Sequence, residues 1–144
     1  MNKKQVLITG ASGFIGSTAV DKALELGYDT WAGVRKSSSR KYLSDNRISE
    51  NYGKFDYVIH IAGLTKALHK ADFDNVNFEQ TRNLAETLIE IDAIPEAFVL
   101  MSSLSALGTG DEKGYTPIKS DHTPNPTTAY GKSKLKAENY LKRL

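Results

Sequence analysis

The chain has 144 residues, enough for one domain (1–144), and its 25% charged and 40% hydrophobic residues are typical of a folded globular protein rather than a disordered one. The net charge of +2 is small, and the basic residues near the C-terminus are interpreted as a solvated helix face rather than a nucleic-acid surface. Cysteine is absent and no apolar run approaches the ~20 residues that cross a bilayer, so the sequence excludes disulfides, argues against a membrane span and predicts a cytoplasmic protein.

A glycine-rich turn follows the first predicted strand. The run Val6-Leu7-Ile8 predicts a buried strand over 4–9, and Thr9-Gly10-Ala11-Ser12-Gly13-Phe14-Ile15-Gly16 comes directly after it. Apolar residues then recur at helical spacing until Gly27, so the turn opens a helix. A pyrophosphate needs backbone N–H groups and the positive end of a helix, and a Cβ at any of the three glycines would obstruct the turn, the ligand or the helix packing. The sequence therefore predicts a dinucleotide site that includes Thr9, Gly10, Gly13, Phe14, Ile15 and Gly16.

Strands and helices alternate along the rest of the chain. The predicted elements are a strand over 28–34, a strand over 57–61, a helix over about 74–92, a strand over 97–101 and a basic helix from about 129. The serine-rich stretch 36–54 contains no convincing apolar strand. This alternation predicts an α/β fold with a parallel sheet covered on both faces, which binds ligands beyond the carboxyl ends of its strands. Gly10, Arg35, Ala62 and Ser103 fall at such ends.

Five motifs occur in one order across nearly the whole chain. They are the TGxxGxxG turn at 9–16, His60-Ile61-Ala62-Gly63, Asn77 with Thr81, Met101-Ser102-Ser103, and Pro126 with Tyr130-Gly131-Lys132-Ser133-Lys134 and Glu138. In this order the chain resembles the extended short-chain dehydrogenases/reductases, the NAD-dependent epimerase/dehydratase group that includes nucleotide-sugar epimerases, dehydratases and dihydroflavonol-type reductases. The resemblance implies a Rossmann-type, doubly wound parallel sheet and an NAD(P) coenzyme that Ala62 and Gly63 contact.

Two departures from the family pattern concern the completeness of the fold. Members have a further strand before the His-Ala-Gly strand, and the stretch 36–54 is too short and polar to predict one. Members also continue well past the last predicted helix, in a region that holds most of the substrate pocket. The sequence therefore predicts a shortened sheet, without its third strand and its C-terminal substrate region, and a chain that self-associates as a homodimer or has marginal stability.

Tyr130 and Lys134 stand one helical turn apart, because positions i and i+4 of a helix share a face. A tyrosine that transfers protons near neutral pH needs its pKa lowered from about 10, and an adjacent ammonium favours the phenolate. The spacing indicates Tyr130 as general acid/base and Lys134 as its electrostatic partner. The resemblance implies that both also contact the coenzyme, with Lys134 on the nicotinamide ribose. The alternative is a tyrosine packed on the core beside a lysine that reaches water.

Two further residues have roles that only the resemblance implies. Ser103 corresponds to the serine that stabilises the substrate oxygen during hydride transfer, with Ser102 and Ser105 as rivals and a turn-forming serine as the alternative. Asn77 corresponds to the asparagine of the central helix, a structural or proton-relay position. The alternative is a helix-surface amide.

The residue after the second strand predicts the coenzyme. An acid there would bind the ribose 2′-hydroxyl of NAD, whereas an arginine accommodates the 2′-phosphate of NADP. The chain has Arg35 at this place, so NADP is favoured over NAD, with an exposed strand-terminating charge as the alternative. No metal site is predicted, because His60, His69 and His122 have no ligand spacing and no cysteines to support them.

The sequence thus predicts an NAD(P)-dependent oxidoreductase of the extended short-chain type. Hydride would pass between the nicotinamide and a small-molecule substrate carbon that bears a hydroxyl or carbonyl group. The alternative is a nucleotide-binding module, or an incomplete enzyme, without turnover of its own. The choice among epimerase, dehydratase and reductase, and the substrate itself, depend on the C-terminal region of the family.

Overall fold

A computed structural model describes residues 3–35, 37, 39, 48–49, 54–111 and 113–144. The chain divides into two compact units. The sheet unit comprises Met1–Ala62 and Leu88–Met101, and the helical unit comprises Gly63–Thr87 and Ser102–Leu144. Each unit has its own set of predicted site residues.

The sheet unit is built on five parallel strands in the order β3-β2-β1-β4-β5. They are β1 (Gln5–Thr9), β2 (Asp29–Gly33), β3 (Ile48–Ser49), β4 (Tyr57–His60) and β5 (Ala97–Leu100). The central strands form because β-branched residues such as Val6, Ile8 and Val58 are buried on the sheet, each 3% exposed or less. The Rossmann-type parallel sheet and all four predicted strands are confirmed.

The third strand is present, although the sequence predicted none within 36–54. Ile48–Ser49 pairs in parallel with Thr30 and Trp31 of β2. Backbone hydrogen bonds alone suffice for such an edge pairing. Two residues can therefore form an edge strand in a segment that has no apolar run from which a strand could be predicted. The sheet is therefore shortened at this edge rather than one strand short.

Helix α1 (Phe14–Glu25) packs on the central strands of the sheet unit. Val20, Ala23 and Leu24 form one core with the buried residues of β1. The helix stops before Gly27, whose φ of +84° is a conformation that favours glycine. Phe14 and Ile15 continue the helical periodicity but do not join the core, since they are 87% and 52% exposed.

Trp31 of β2 is the single tryptophan of the chain. Its ring is buried and meets Phe55 edge to face, with 5.3 Å between ring centroids. Within the described part of the chain, the indole N–H has no hydrogen-bond partner.

Strand β5 forms the second edge of the described sheet. Val99 is 51% exposed there, and the nearby segment adds the exposed side chains of Ile91, Ile94 and Met101. No proline or charge interrupts the strand itself. An apolar edge of this kind fits the predicted self-association, which stays a prediction.

A long helical stretch begins in the helical unit four residues before its predicted start. It consists of α2 (Lys70–Phe73), a π-helical segment (Asp74–Glu79) and α3 (Gln80–Glu90), whose last residues belong to the sheet unit. The predicted last helix is confirmed as α4 (Ala129–Leu141). The Thr128 hydroxyl caps α4 by accepting from the Gly131 N–H at 2.9 Å. No helix among the described residues has the length and apolar character that a membrane span requires.

Candidate functional site

The glycine turn joins β1 directly to α1 in the sheet unit. Gly10 has a φ of +67°, and its carbonyl accepts a hydrogen bond from the Gly13 N–H at 3.0 Å. The Gly13 carbonyl in turn accepts from the Ser17 N–H at 2.8 Å, which starts the helix. A residue with a side chain would be strained at Gly10, so the turn needs glycine there.

The three glycines of the turn meet different surroundings. A Cβ at Gly10 would lie 2.7 Å from the backbone nitrogen of Ala62, and one at Gly16 would lie 2.0 Å from the Gly10 carbonyl oxygen. A Cβ at Gly13 would meet only that same carbonyl oxygen, at 3.3 Å. Gly10 and Gly16 are therefore needed for packing, while Gly13 leaves open space in front of the turn for a ligand.

The start of α1 is suited to an anion. Gly13 is the N-cap and supplies no side chain to accept from the first N–H groups, and the first turn contains no acidic residue. These amides and the positive end of the helix dipole are thus available to a phosphate group. With the open space at Gly13, the turn is a candidate site for the pyrophosphate of a dinucleotide.

His60, at the end of β4, braces the turn. Its Nδ1 lies 2.7 Å from the Thr9 hydroxyl oxygen, which also accepts from the Ala62 N–H at 3.3 Å. Because the Thr9 oxygen acts as the acceptor in that bond, its hydroxyl can still donate a hydrogen bond to Nδ1 of the buried His60 ring. His60 and Thr9 thus hold together the two strand ends that predicted coenzyme contacts follow.

The strand register brings the predicted carboxyl ends to one edge of the sheet unit. Thr9 is paired with Gly33 of β2 and with His60 of β4. Arg35 lies two residues beyond the end of β2 and is exposed. An exposed arginine at this edge is compatible with a phosphate contact and with a simple strand-terminating charge.

Tyr130 and Lys134 lie on successive turns of α4 in the helical unit. Tyr130 is half-buried and packs edge to face on Phe73, with 5.9 Å between ring centroids. Lys134 is only 4% exposed, and this burial lowers its pKa below the usual 10.5. The alternative in which the lysine reaches water is therefore wrong, as is the solvated-face interpretation for this one residue of the basic cluster.

The burial of Lys134 predicts a pH-dependent stability. The unfolded chain holds the Lys134 proton up to about pH 10.5 while the folded chain releases it at lower pH, so deprotonation of Lys134 stabilises the fold as pH rises between these values. We expect Lys134→Met to be at least as stable as wild type at pH 7 and to lack this gain. Urea unfolding of both proteins at pH 7 and pH 10 measures it. A wild type that loses stability relative to Lys134→Met on going to pH 10 would contradict the assignment.

Ser103 has a structural contact that the turn-forming alternative predicts. Its Oγ accepts from the Ser105 N–H at 3.2 Å and so caps a 3₁₀ turn at Leu104–Ala106. This use leaves the hydroxyl proton able to donate to a substrate oxygen. The rival Ser102 donates its own proton to the Glu138 carboxylate of α4.

Glycine at 131 brings the Ser103 turn against α4. A Cβ at Gly131 would lie 2.1 Å from the Ser105 carbonyl oxygen, so the two segments approach closely only with glycine there. The helical unit therefore places the turn that holds Ser103 beside the helical turn that holds Tyr130.

Asn77 lies in the π-helical segment and is 1% exposed, so the alternative of a helix-surface amide is wrong. Its Oδ1 accepts from the Leu64 N–H at 2.7 Å and its Nδ2 donates to the Leu64 carbonyl at 3.0 Å. Asn77 thus holds the loop after Gly63, a predicted coenzyme contact. The sequence motif placed Asn77 in the family pattern, but nothing in the sequence indicated Leu64 as its partner.

Comparison with known proteins identifies relatives of the whole chain. The pattern of the NAD dependent epimerase/dehydratase family matches residues 6–144. The UDP-glucose 4-epimerase of Yersinia pestis is 30% identical over 163 residues, which cover 94% of this chain and 47% of that protein. The UDP-glucose 4-epimerase of Drosophila melanogaster is 27% identical, with 96% of this chain and 48% of that protein covered.

Solved structures share the fold. The UDP-glucose 4-epimerase of Thermotoga maritima, solved with UDP-glucose, gives a TM-score of 0.82 at 25% identity and covers 96% of this chain and 50% of its own. MoeE5, solved with UDP-glucose and NAD, gives a TM-score of 0.73 at 27% identity and covers 94% of this chain and 47% of its own. The chain therefore spans about half the length of the relatives it matches.

Proposed function

Because the chain belongs to the NAD-dependent epimerase/dehydratase family, we propose that it binds a nicotinamide dinucleotide and supplies the proton-transferring tyrosine of such an enzyme. The observation that carries this proposal is the buried Lys134 one helical turn after Tyr130. A lysine that only solubilised the helix would lie in water, whereas a buried ammonium can act on the phenol and on a bound ligand.

We assign the following roles to residues of the two units. The glycine turn and the uncapped start of α1 would hold the pyrophosphate, with Thr9, Phe14, Ile15, Ala62 and Gly63 as further contacts. The nicotinamide, when bound, supplies a reversible hydride acceptor. Tyr130 would exchange the proton of the substrate hydroxyl, and Lys134 would favour the phenolate form and bind the nicotinamide ribose. The Ser103 hydroxyl would donate to the substrate oxygen.

The substrate class that we propose is a nucleotide sugar with a hydroxyl that becomes a carbonyl. Curated relatives are named UDP-glucose 4-epimerases, and the Thermotoga maritima and MoeE5 structures contain UDP-glucose. UDP-glucose and UDP-galactose are therefore the first substrates to test.

Titration of NADH and NADPH tests the coenzyme half of the proposal. Trp31 provides an intrinsic signal, because no other tryptophan contributes to the emission. Interconversion of UDP-glucose and UDP-galactose with saturating coenzyme then tests the chemistry. A chain that binds neither coenzyme contradicts the proposal.

A second candidate function is a nucleotide-binding module without turnover. It is supported by the uncapped start of α1 and the open space at Gly13, which suit a dinucleotide whether or not Tyr130 transfers a proton. Tight coenzyme binding without conversion of any nucleotide sugar would support this candidate over the first.

The coenzyme preference is tested at Arg35. If its guanidinium binds the 2′-phosphate, Arg35→Asp should weaken NADPH about tenfold or more and leave NADH unchanged or tighter, since charge-assisted hydrogen bonds contribute about 1.5–3 kcal/mol. Lys3→Asp makes the same charge change at an exposed position before β1, at the opposite end of this strand from the glycine turn, and serves as the control. Equal weakening of both coenzymes, or a wild type that prefers NADH, would contradict NADP as the coenzyme.

A further inference from the structure

Ser133 lies between Tyr130 and Lys134 in α4 and is fully buried. Alanine would fit this position and favours helix more than serine does, so the hydroxyl acts only through its hydrogen bonds. It donates to the Tyr130 carbonyl at 2.7 Å, a contact that a helical serine often makes with its own helix.

The second contact of the hydroxyl reaches a residue 56 positions away. Ser133 Oγ accepts from Asn77 Nδ2 at 3.1 Å. The same amide spans the Leu64 backbone, accepting from its N–H and donating to its carbonyl. Each hydrogen of Nδ2 therefore has an acceptor, and Oδ1 has a donor.

The direction of these bonds fixes the orientation of the Asn77 amide. A flipped amide would turn its NH2 group toward the Leu64 N–H and its oxygen toward the Leu64 carbonyl, so donor would face donor and acceptor would face acceptor. Ser133 holds the remaining hydrogen of Nδ2, and an alanine there would leave that hydrogen buried without this acceptor. A buried donor without an acceptor lowers stability. The Asn77 side chain would therefore shift away from its present position, and the Leu64 loop that it holds would move with it.

We infer that Ser133 is a positioning residue that ties the loop of Gly63 and Leu64, through Asn77, to the helical turn that carries Tyr130 and Lys134. The inference rests on the proposed function, because it concerns how a coenzyme loop and a proton-transfer helix keep their relative geometry within the helical unit. The hydroxyl touches neither coenzyme nor substrate in this role.

Amide hydrogen exchange of the full chain tests the link directly. In Ser133→Ala we expect the Leu64 amide to exchange at least tenfold faster, with the amides at the centre of β1 and β4 unchanged. Ser133→Cys keeps the size and a weak donor and acceptor, so it should fall between wild type and Ser133→Ala. Lys132→Ala, at the exposed neighbouring position, is the control and should leave Leu64 unchanged.

Ligand binding tests the positioning role. We expect Ser133→Ala to bind NADH at least fivefold more weakly than wild type, and the pH profile of turnover to shift, because a purely structural change would move neither at temperatures where the variant is folded. A Leu64 amide with unchanged exchange, a uniform increase of exchange over the whole chain, or unchanged NADH affinity would each overturn the inference. Failure of the proposed function is seen separately, as a wild type that does not bind NADH.

Discussion

Under the proposed function, replacing Tyr130 by phenylalanine should lower the rate of UDP-sugar conversion by about 10²–10⁴-fold, the usual contribution of a positioned general acid or base. The phenyl ring keeps the contact with Phe73, so the packing of α4 should be retained. The phenol is lost, and with it the group that Lys134 would activate. NADH affinity should change much less than the rate, because the pyrophosphate contacts lie in the glycine turn.

Turnover of UDP-galactose at saturating coenzyme measures this prediction. Tyr115→Phe removes a phenol from an exposed position of the same unit and should leave the rate unchanged. A Tyr130→Phe chain that converts the substrate as fast as the Tyr115→Phe chain would show that another group transfers the proton.

Replacing Gly16 by alanine should destabilise the chain by about 3 kcal/mol or more and abolish NADH binding. The new Cβ would lie 2.0 Å from the Gly10 carbonyl oxygen and 2.9 Å from the Ala11 Cα. Both obstacles are backbone, so relief requires α1 to move away from the turn. That movement would disturb the amides that a phosphate needs.

The same substitution at Gly27 provides the matched control. Gly27 follows the other end of α1, and a Cβ there would meet nothing within 4 Å. Its φ of +84° alone should lower stability by roughly 1–2 kcal/mol. Urea unfolding of the two variants gives the comparison. Equal stabilities would mean that α1 can shift without penalty and that the glycine turn is not closely packed.

The strands of the sheet were predictable where a buried apolar segment is followed by a glycine. The apolar segments around Val6 and Val58 are interrupted by Gly10 and Gly63, and each becomes a strand at the expected place. The sequence of β3 contains no such apolar segment. An edge strand needs only backbone pairing, and the two residues of β3 are too few to show a periodicity.

The helical stretch from α2 to α3 shows why the burial of polar residues is hard to predict from sequence. The predicted helix carries the apolar residues Val76, Leu84, Leu88 and Ile91. Ile91 is nevertheless exposed, while Asn77 and Thr81 are buried. The π-helical segment changes the turn around Asn77, and Thr81 donates its hydroxyl proton to the Asn77 carbonyl at 2.8 Å. Burial of such groups depends on partners that are distant in sequence, and no local pattern contains them.

The motifs indicated candidate site residues one by one but not the contacts that those residues make. The i, i+4 spacing pointed to Tyr130 and Lys134 as candidates, but the burial of Lys134 became visible only with the fold. The hydrogen bond of Ser102 to Glu138 joins residues 36 positions apart. Ser133 was part of a motif without a role of its own, since its partner Asn77 is fixed by tertiary structure.

The lone indole of Trp31 separates the two units spectroscopically. Its emission reports the environment of the sheet unit, since the helical unit has no tryptophan, whereas far-ultraviolet circular dichroism is dominated by helices. A thermal scan recorded by both signals therefore distinguishes one cooperative transition from two successive ones. Coincident melting curves would mean that the strands and the tyrosine-bearing helix lose their structure together.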